Sequence, residues 1–96
     1  MTHKLKGEAA TRTVWLDGKK LDPRPSQKHH NHSPDGFNWG YEGSGPAQLA
    51  LAIMLEITGK PDGYQDFKRR VIAHLPQGKD FAIDLLLDHG DPEFCQ

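Results

Sequence analysis

The feature that most constrains the fold is a run of apolar residues that follows a glycine-rich turn. Residues 46–58 read Pro-Ala-Gln-Leu-Ala-Leu-Ala-Ile-Met-Leu-Glu-Ile-Thr, and Gly59 comes next. Proline is favoured in the first turn of a helix and glycine just after the last turn. A helix that is apolar nearly all round is normally buried on every side. We therefore predict a central buried helix over Pro46–Thr58, with a homodimer interface as the alternative place for its apolar surface.

Length and charge exclude several classes of protein. The chain has 96 residues, enough for one domain. Its net charge of −1 argues against a general basic nucleic-acid binder. The chain starts without the apolar segment of a signal peptide, and Leu49–Leu55 is far shorter than the roughly 20 apolar residues that cross a bilayer. The single cysteine, Cys95, cannot form an intrachain disulfide, so we expect a cytoplasmic protein that does not act at membranes.

The part of the chain before the central helix predicts a small sheet. Residues 1–10 are polar and without a period, and we expect a flexible N-terminal arm there. Thr11–Leu16 is rich in β-branched and aromatic residues, and Asp17-Gly18 is a strong hairpin signal. A short return strand should therefore follow at Lys19–Leu21. Phe37–Trp39 alternates in character and is predicted as a third strand.

The part after the central helix predicts a second helix over Tyr64–Leu75. Asp62 and Gln65 have the spacing of a capping box, and Pro76 ends the helical pattern. The segment from Phe81 to Leu87 fits either a strand or a short helix. We favour an extended Phe81–Ile83 followed by a short helix that Asp84 caps and that ends at His89, with Gly90 beyond it.

These elements together predict a single α+β domain over residues 11–96. Its small antiparallel sheet would consist of the N-terminal hairpin and the short third strand. Two or three helices would pack against this sheet. An isolated hairpin is only marginally stable in water, so the helices should supply most of the stability.

The turn Gly40–Gly45 is the place where fold and candidate site coincide. It ends at a helix N-terminus, where unpaired N–H groups and the helix dipole favour anions. However, the P-loop lysine is missing after the last glycine, and Glu42 adds a negative charge. The residues favour a structural turn, with a ligand or partner site as the alternative. The candidate binding residues are Trp39, Tyr41, Glu42, Ser44, Gln48 and His32.

Two polar features lie close to this turn in the predicted fold. Gln48 is the polar residue of an apolar helical turn, and its amide needs partners if it is buried. The glycine-rich turn or the segment His32-Ser33-Pro34 would supply them. His29, His30 and His32, with Asp35, occur in a long loop over residues 22–35 and suggest a transition-metal site. Their spacing is not a structural zinc pattern, so we favour a solvated loop and expect no metal and no cofactor.

A hydrolase is the third way to interpret these residues. Ser33 or Ser44 could act as nucleophile, with His32 or His74 as base and Asp35 as the orienting acid. The Gly-x-Ser-x-Gly pattern of a nucleophile elbow is missing around Ser44. We therefore predict no catalytic residues.

The turn and its flanks resemble a family of small uncharacterised proteins from bacteria and their phages, the DUF6166-like family. The signature of that family corresponds here to Phe37, Trp39-Gly40-Tyr41 and Gly43-Ser44-Gly45-Pro46-Ala47-Gln48-Leu49-Ala50. The flanking similarities are Leu16-Asp17-Gly18, His32-Ser33-Pro34, Tyr64, Phe67-Lys68 and His74-Leu75-Pro76. The resemblance covers roughly residues 14–87. It implies a bacterial or phage origin and brings no established activity.

Three functions are compatible with these observations. The first is a non-enzymatic protein that binds another protein, for example a phage accessory protein that acts on a host defence complex. Aromatic residues are enriched at protein interfaces, and this hypothesis expects Trp39 or Tyr41 to be exposed. The second is a small-molecule, nucleotide or phosphate-binding domain that uses Gly40–Gly45. The third is a small metal-dependent or serine-type hydrolase. We favour the first.

Overall fold

A computed structural model describes residues 2–87 and 92–94 of the chain. It contains a five-stranded antiparallel sheet in the order β3-β2-β1-β4-β5. The strands are β1 (Thr2–Glu8), β2 (Thr13–Leu16), β3 (Lys19–Lys20), β4 (Phe81–Leu87) and β5 (Pro92–Phe94). The helices are α1 (Arg24–His29), α2 (Ser44–Thr58) and α3 (Tyr64–Arg70), and a 3₁₀ turn follows at Ile72–His74. The predicted α+β class, an antiparallel sheet with helices packed on it, is confirmed.

Strand β1 lies in the middle of the sheet, where the sequence predicted a flexible arm over residues 1–10. It pairs with β2 on one side and with β4 on the other. Leu5 and Gly7 of this strand are buried, and the ring of Phe81 covers Gly7 so closely that a Cβ there would collide with it. The prediction was wrong because β1 contributes few apolar residues of its own and depends on Phe81 from a distant part of the chain.

The predicted hairpin is confirmed, whereas the predicted third strand is wrong. Strands β2 and β3 are joined by Asp17-Gly18, whose φ angles of +53° and +80° suit a two-residue hairpin turn. Strand β2 begins at Thr13, because Arg12 has a φ of +55° and still belongs to the preceding turn. Phe37–Trp39 is irregular and pairs with no described strand. Its two aromatic rings are buried in the core instead.

Helix α2 is the central buried element that the sequence predicted. It begins at Ser44, two residues before the predicted start, and ends at Thr58, followed by Gly59 with a φ of +76°. Residues 45–54 are buried without interruption. This apolar surface lies inside the chain's own core, against the sheet on one side and the other helices around it. A homodimer interface is therefore not needed to cover the apolar surface of α2.

The second predicted helix is shorter than expected. Helix α3 ends at Arg70, and the chain continues through the 3₁₀ turn. Gly63 is the N-cap, with a φ of +81° and no side-chain capping hydrogen bond, so the predicted capping box is wrong. The Gln65 amide donates a hydrogen bond to the Tyr64 hydroxyl instead of turning back to the helix start.

The C-terminal segment is extended over its whole described length. The prediction for Phe81–Ile83 is confirmed, but the helix predicted from Asp84 is wrong, because residues 84–87 continue β4. Pairing with β1, in which Asp84 lies opposite Lys4, supplies the backbone hydrogen bonds that a local helix would have made. The last two residues of that predicted helix, Asp88 and His89, the predicted stop Gly90, and Cys95 lie outside the described residues. None of the described helices has the length and apolar character needed to cross a bilayer.

Candidate functional site

Trp39 is a core residue. Its side chain is 1% exposed, and its ring meets Phe81 edge to face with 4.9 Å between the centroids. The indole Nε1–H donates a hydrogen bond of 3.0 Å to the carbonyl oxygen of Lys79. The expectation that this ring contributes to a contact surface is therefore wrong. Trp39 fastens the start of the glycine-rich turn to the segment before β4.

Gly40 brings the turn against a second segment of the chain. Its φ is +85°, and a Cβ there would collide with the backbone of Gln77. Its N–H donates a hydrogen bond of 2.9 Å to the carbonyl oxygen of Ile72. Only glycine combines that backbone angle with such a close approach. The turn is thus held in place by contacts at its base.

The ring of Tyr41 lies on the two glycines that follow it. A Cβ at Gly43 would lie 2.5 Å from Tyr41 Cε2, and a Cβ at Gly45 would lie 3.3 Å from the Tyr41 hydroxyl. Tyr41 remains half-buried, and its neighbours Glu42 and Ser44 are exposed. One side of the Tyr41 ring therefore packs directly on the backbone of Gly43 and Gly45. We call the surface formed by Tyr41, Glu42 and Ser44 the Tyr41 turn.

The start of α2 differs from what the sequence predicted. Gly43 is the N-cap and makes no side-chain capping bond, and Ser44 is the first helical residue. The Ala47 N–H already donates to the Gly43 carbonyl oxygen at 3.1 Å, and Pro46 has no N–H. The N–H groups of Ser44 and Gly45 remain as the donors that an anion would meet at this end of the helix.

Gln48 is fully buried and makes hydrogen bonds to the loop before the turn. Its Oε1 accepts from the N–H groups of His32, at 2.8 Å, and Ser33, at 3.0 Å. Its Nε2 donates to Ser26 Oγ at 2.8 Å and to the carbonyl oxygen of His30 at 3.2 Å. The predicted contact with His32-Ser33-Pro34 is confirmed. The amide fixes this loop to α2 through hydrogen bonds of both its oxygen and its nitrogen.

His32 belongs to the same network. Its imidazole stacks on that of His30, with centroids 3.9 Å apart, and its Nε2 forms a hydrogen bond of 2.8 Å with the Tyr64 hydroxyl. His29 is exposed at the end of α1. In the part of the chain that the structure describes, no three His, Cys, Asp or Glu side chains come together as a metal-binding group. Burial, followed by the charges of His30 and Lys68, lowers the pKa of His32 below its ordinary value of 6.5.

This lowered pKa predicts a loss of stability in mild acid. Well above pH 6.5 His32 is almost entirely neutral in both the folded and the unfolded chain. As the pH falls below that value, the unfolded chain takes up a proton that the folded chain resists, so the free energy of unfolding decreases. Urea unfolding at about pH 7.5 and about pH 5.5 should show this decrease, and it should be smaller in a His32→Asn variant.

The control for the His32 experiment is His29→Asn, which changes an exposed histidine of the same segment. This variant should keep the pH dependence of the wild-type protein. Comparing the change with pH, and not the stability at one pH, separates the titration from the loss of the Tyr64 hydrogen bond. Equal pH dependence in the wild type and in His32→Asn would show that His32 does not contribute.

The residues considered for hydrolysis are not brought into a triad. His32 is bonded to Tyr64 and not to a serine. Ser44 lies at the N-terminus of α2, and His74 is exposed in the 3₁₀ turn. Across residues 2–87, no hydrogen bond joins Ser33 or Ser44 to an imidazole.

The sequence analysis missed a second surface, on the outer face of the sheet. Trp15 is half-buried there, and the cross-strand register places Lys6 on one side of it and Lys20 on the other. An open groove of about 590 Å³ lies along this face between Trp15 and Asp84. The sequence did carry a signal for a strand here, because Lys4 and Lys6 alternate with Leu5 and Gly7. It was overlooked because this segment was assigned to a flexible arm.

The hairpin turn is joined to β1 by a histidine–carboxylate pair. His3 Nδ1 and Asp17 Oδ2 are 2.6 Å apart, and Asp17 Oδ1 accepts a hydrogen bond of 2.9 Å from the Lys4 N–H. These two hydrogen bonds lower the pKa of Asp17. The pair holds the turn against the first strand and so keeps β2 and β3 in register beside Lys4 and Lys6.

Comparison with known proteins gives a family but no activity. The model of a family of unknown function, DUF6166, matches residues 3–90. Neither the curated proteins nor the solved structures include a significant match to this sequence. The family match covers both the glycine-rich turn and most of the central sheet. The chain belongs to the DUF6166 family.

Proposed function

We propose that this protein is a non-enzymatic protein-binding module that contacts its partner through the Tyr41 turn. The observation that carries the proposal is the half-buried Tyr41 ring, one side of which lies on Gly43 and Gly45. Tyrosine is one of the residue types that most often dominate binding energy at protein interfaces. A ring already held in one position loses little conformational freedom on binding.

The surroundings of the ring suit a protein contact. Glu42 and Ser44 flank it with an exposed carboxylate and hydroxyl, which can form the polar rim around an aromatic anchor. Trp39 and Gly40 have a supporting role, since their contacts with Lys79 and Gln77 hold the base of the turn. A cytoplasmic phage accessory protein that acts on a host defence complex is one specific form of this proposal.

The test is affinity capture from host lysate with immobilised wild type, Tyr41→Ala and Lys28→Ala. Lys28 is exposed on α1 and serves as the surface control. We expect a specific partner that wild type and Lys28→Ala retain and Tyr41→Ala loses, with all three proteins folded by circular dichroism. Retention of the partner by Tyr41→Ala, or the same captured proteins on an unrelated bait, would contradict the proposal.

The phosphate-binding alternative makes a different prediction. A nucleotide or phosphate bound at the N-terminus of α2 would stabilise the folded protein in proportion to its concentration. A thermal-shift screen with nucleotides and inorganic phosphate tests this directly. Stabilisation that Glu42→Gln strengthens, by removing the adjacent negative charge, would favour the alternative over the protein-binding module.

A further inference from the structure

The outer face of the sheet presents an aromatic ring between two cations. Side chains of paired residues in neighbouring antiparallel strands project from the same face. Lys20, Trp15 and Lys6 therefore form one row across β3, β2 and β1, and Ala82 of β4 continues it. Neighbouring strands are about 4.8 Å apart, so the side chains of Lys6 and Lys20 both begin next to the ring of Trp15. The small side chain at Ala82 leaves the groove open beside Lys6.

Lysines outnumber acids on this face, where Glu8, two residues from Lys6, accepts a hydrogen bond from the Thr11 hydroxyl. Lys4 lies two residues from Lys6 on the same face and is opposite Asp84. Asp22 is the acid near Lys20 in the sequence. Its carboxylate already forms an ion pair with Arg24, with 2.7 Å between Oδ2 and the guanidinium Nη2. The net charge of −1 is an average over the whole chain and hides this local excess of lysine. An anionic partner would find cations on both sides of the same indole.

We infer that this face binds single-stranded nucleic acid, with a base stacked on Trp15 and phosphates next to Lys6 and Lys20. Aromatic side chains on which bases stack, together with cations that follow the backbone, are the general means of binding single strands. The groove of about 590 Å³ is within the size range of small-ligand sites. This function is additional to the proposed protein binding, because Tyr41 and Trp15 belong to different surfaces.

The arrangement favours a single strand over the other polyanions. A base inside a duplex is covered by its neighbours and cannot stack on Trp15, whereas an unpaired base can. An acidic protein segment offers carboxylates without a flat ring between them. The order cation, ring, cation across the strands matches the order phosphate, base, phosphate along a single strand.

The test uses labelled oligothymidylate and oligouridylate at low ionic strength, followed by fluorescence anisotropy. A duplex of the same length and poly-L-glutamate serve as competitors. Intrinsic fluorescence gives a second readout, because the chain has two tryptophans and Trp39 is buried. Stacking should therefore quench the Trp15 emission. The variants are Trp15→Ala, Trp15→Phe, Lys6→Gln and the control Lys28→Gln, each first shown to be folded by circular dichroism.

The expected results are quantitative. Trp15→Ala should weaken binding roughly 5- to 150-fold, the range measured for loss of one stacked base, and Trp15→Phe should restore most of it. The affinity of the wild type should fall with salt with a logarithmic slope of about −1.4 for the two phosphate contacts, and Lys6→Gln should reduce the size of that slope by about 0.7. Lys28→Gln should bind like the wild type.

Three results would overturn the inference: no binding of either oligonucleotide at low ionic strength, equal binding by Trp15→Ala, or competition by poly-L-glutamate as strong as by unlabelled oligothymidylate. The last result would assign the face to an acidic protein. Tyr41→Ala should bind oligonucleotides normally, so the outcome is independent of the proposed protein-binding function.

Discussion

Replacing Trp39 with alanine is expected to lower the free energy of unfolding by about 3–5 kcal/mol, as is typical of a buried tryptophan. The ring is 1% exposed and packs edge to face on Phe81, so its removal leaves a large cavity between the turn and β4. It also leaves the Lys79 carbonyl oxygen without its indole donor. Urea unfolding followed by far-ultraviolet circular dichroism measures the loss. Because small domains have about 5–15 kcal/mol in total, this loss is a large fraction of the stability of the domain.

The matched control for Trp39→Ala is the same change at the other tryptophan. Trp15 is half-buried and contributes mainly cross-strand contacts, so Trp15→Ala should cost about 1 kcal/mol or less. The loss in free energy of unfolding for Trp39→Phe should lie between those of the two alanine variants. Phenylalanine keeps most of the packing of the tryptophan ring but cannot donate the hydrogen bond to Lys79. Equal costs at positions 15 and 39 would contradict the assignment of Trp39 to the core.

Replacing Gln48 with leucine is expected to cost about 3 kcal/mol or more, although leucine has a similar size and is apolar. The reason is that buried Ser26 and half-buried His32 and Ser33 lose hydrogen bonds that leucine cannot replace, and each group left unsatisfied inside the protein costs about 1–3 kcal/mol. The groups affected are the N–H of His32, the N–H of Ser33, Ser26 Oγ and the carbonyl oxygen of His30. Chemical denaturation measures the cost.

The matched control for Gln48→Leu is Gln27→Leu. Gln27 makes one side-chain hydrogen bond, to the Ser33 carbonyl oxygen at 2.9 Å, and is half-buried. Its loss should cost about 0.5–1.5 kcal/mol. Hydrogen exchange adds a second readout, since the amide protons of His32 and Ser33 should exchange much faster in Gln48→Leu and remain protected in Gln27→Leu. Retained protection in Gln48→Leu would show that the loop does not depend on this amide.

The elements that could be predicted from the sequence are those whose signals are local. Asp17-Gly18 specifies a hairpin by its own backbone preferences, and Gly59 ends α2 whatever surrounds it. The segments β1 and residues 84–87 of β4 could not be predicted in the same way. Each becomes a strand because it pairs with the other across nearly the whole chain, and nothing within either segment identifies that partner.

The candidate site shows a similar division. The role of Gln48 was predictable, because an amide in an apolar helix must find partners and the nearby polar loop was the available source. The role of Trp39 was not, because a tryptophan beside glycines fits a core and an exposed surface equally well. The burial of Trp39 depends on Phe81 and Lys79, which are far away in the sequence. The row around Trp15 could not be recognised before β1 was known to be a strand.

The central position of β1 has a consequence for how the chain acquires its structure during synthesis. The backbone hydrogen bonds within the hairpin β2–β3 and within helix α2 are local, so these elements can form early. Strand β1, although it precedes the other described elements, gains its partner β4 only after nearly all of the described chain has been translated. Closing such a long loop slows folding. Until then one edge of β1 carries unpaired backbone groups that other chains could bind. The lysines at positions 4 and 6 are the kind of residue that discourages such association on the ribosome.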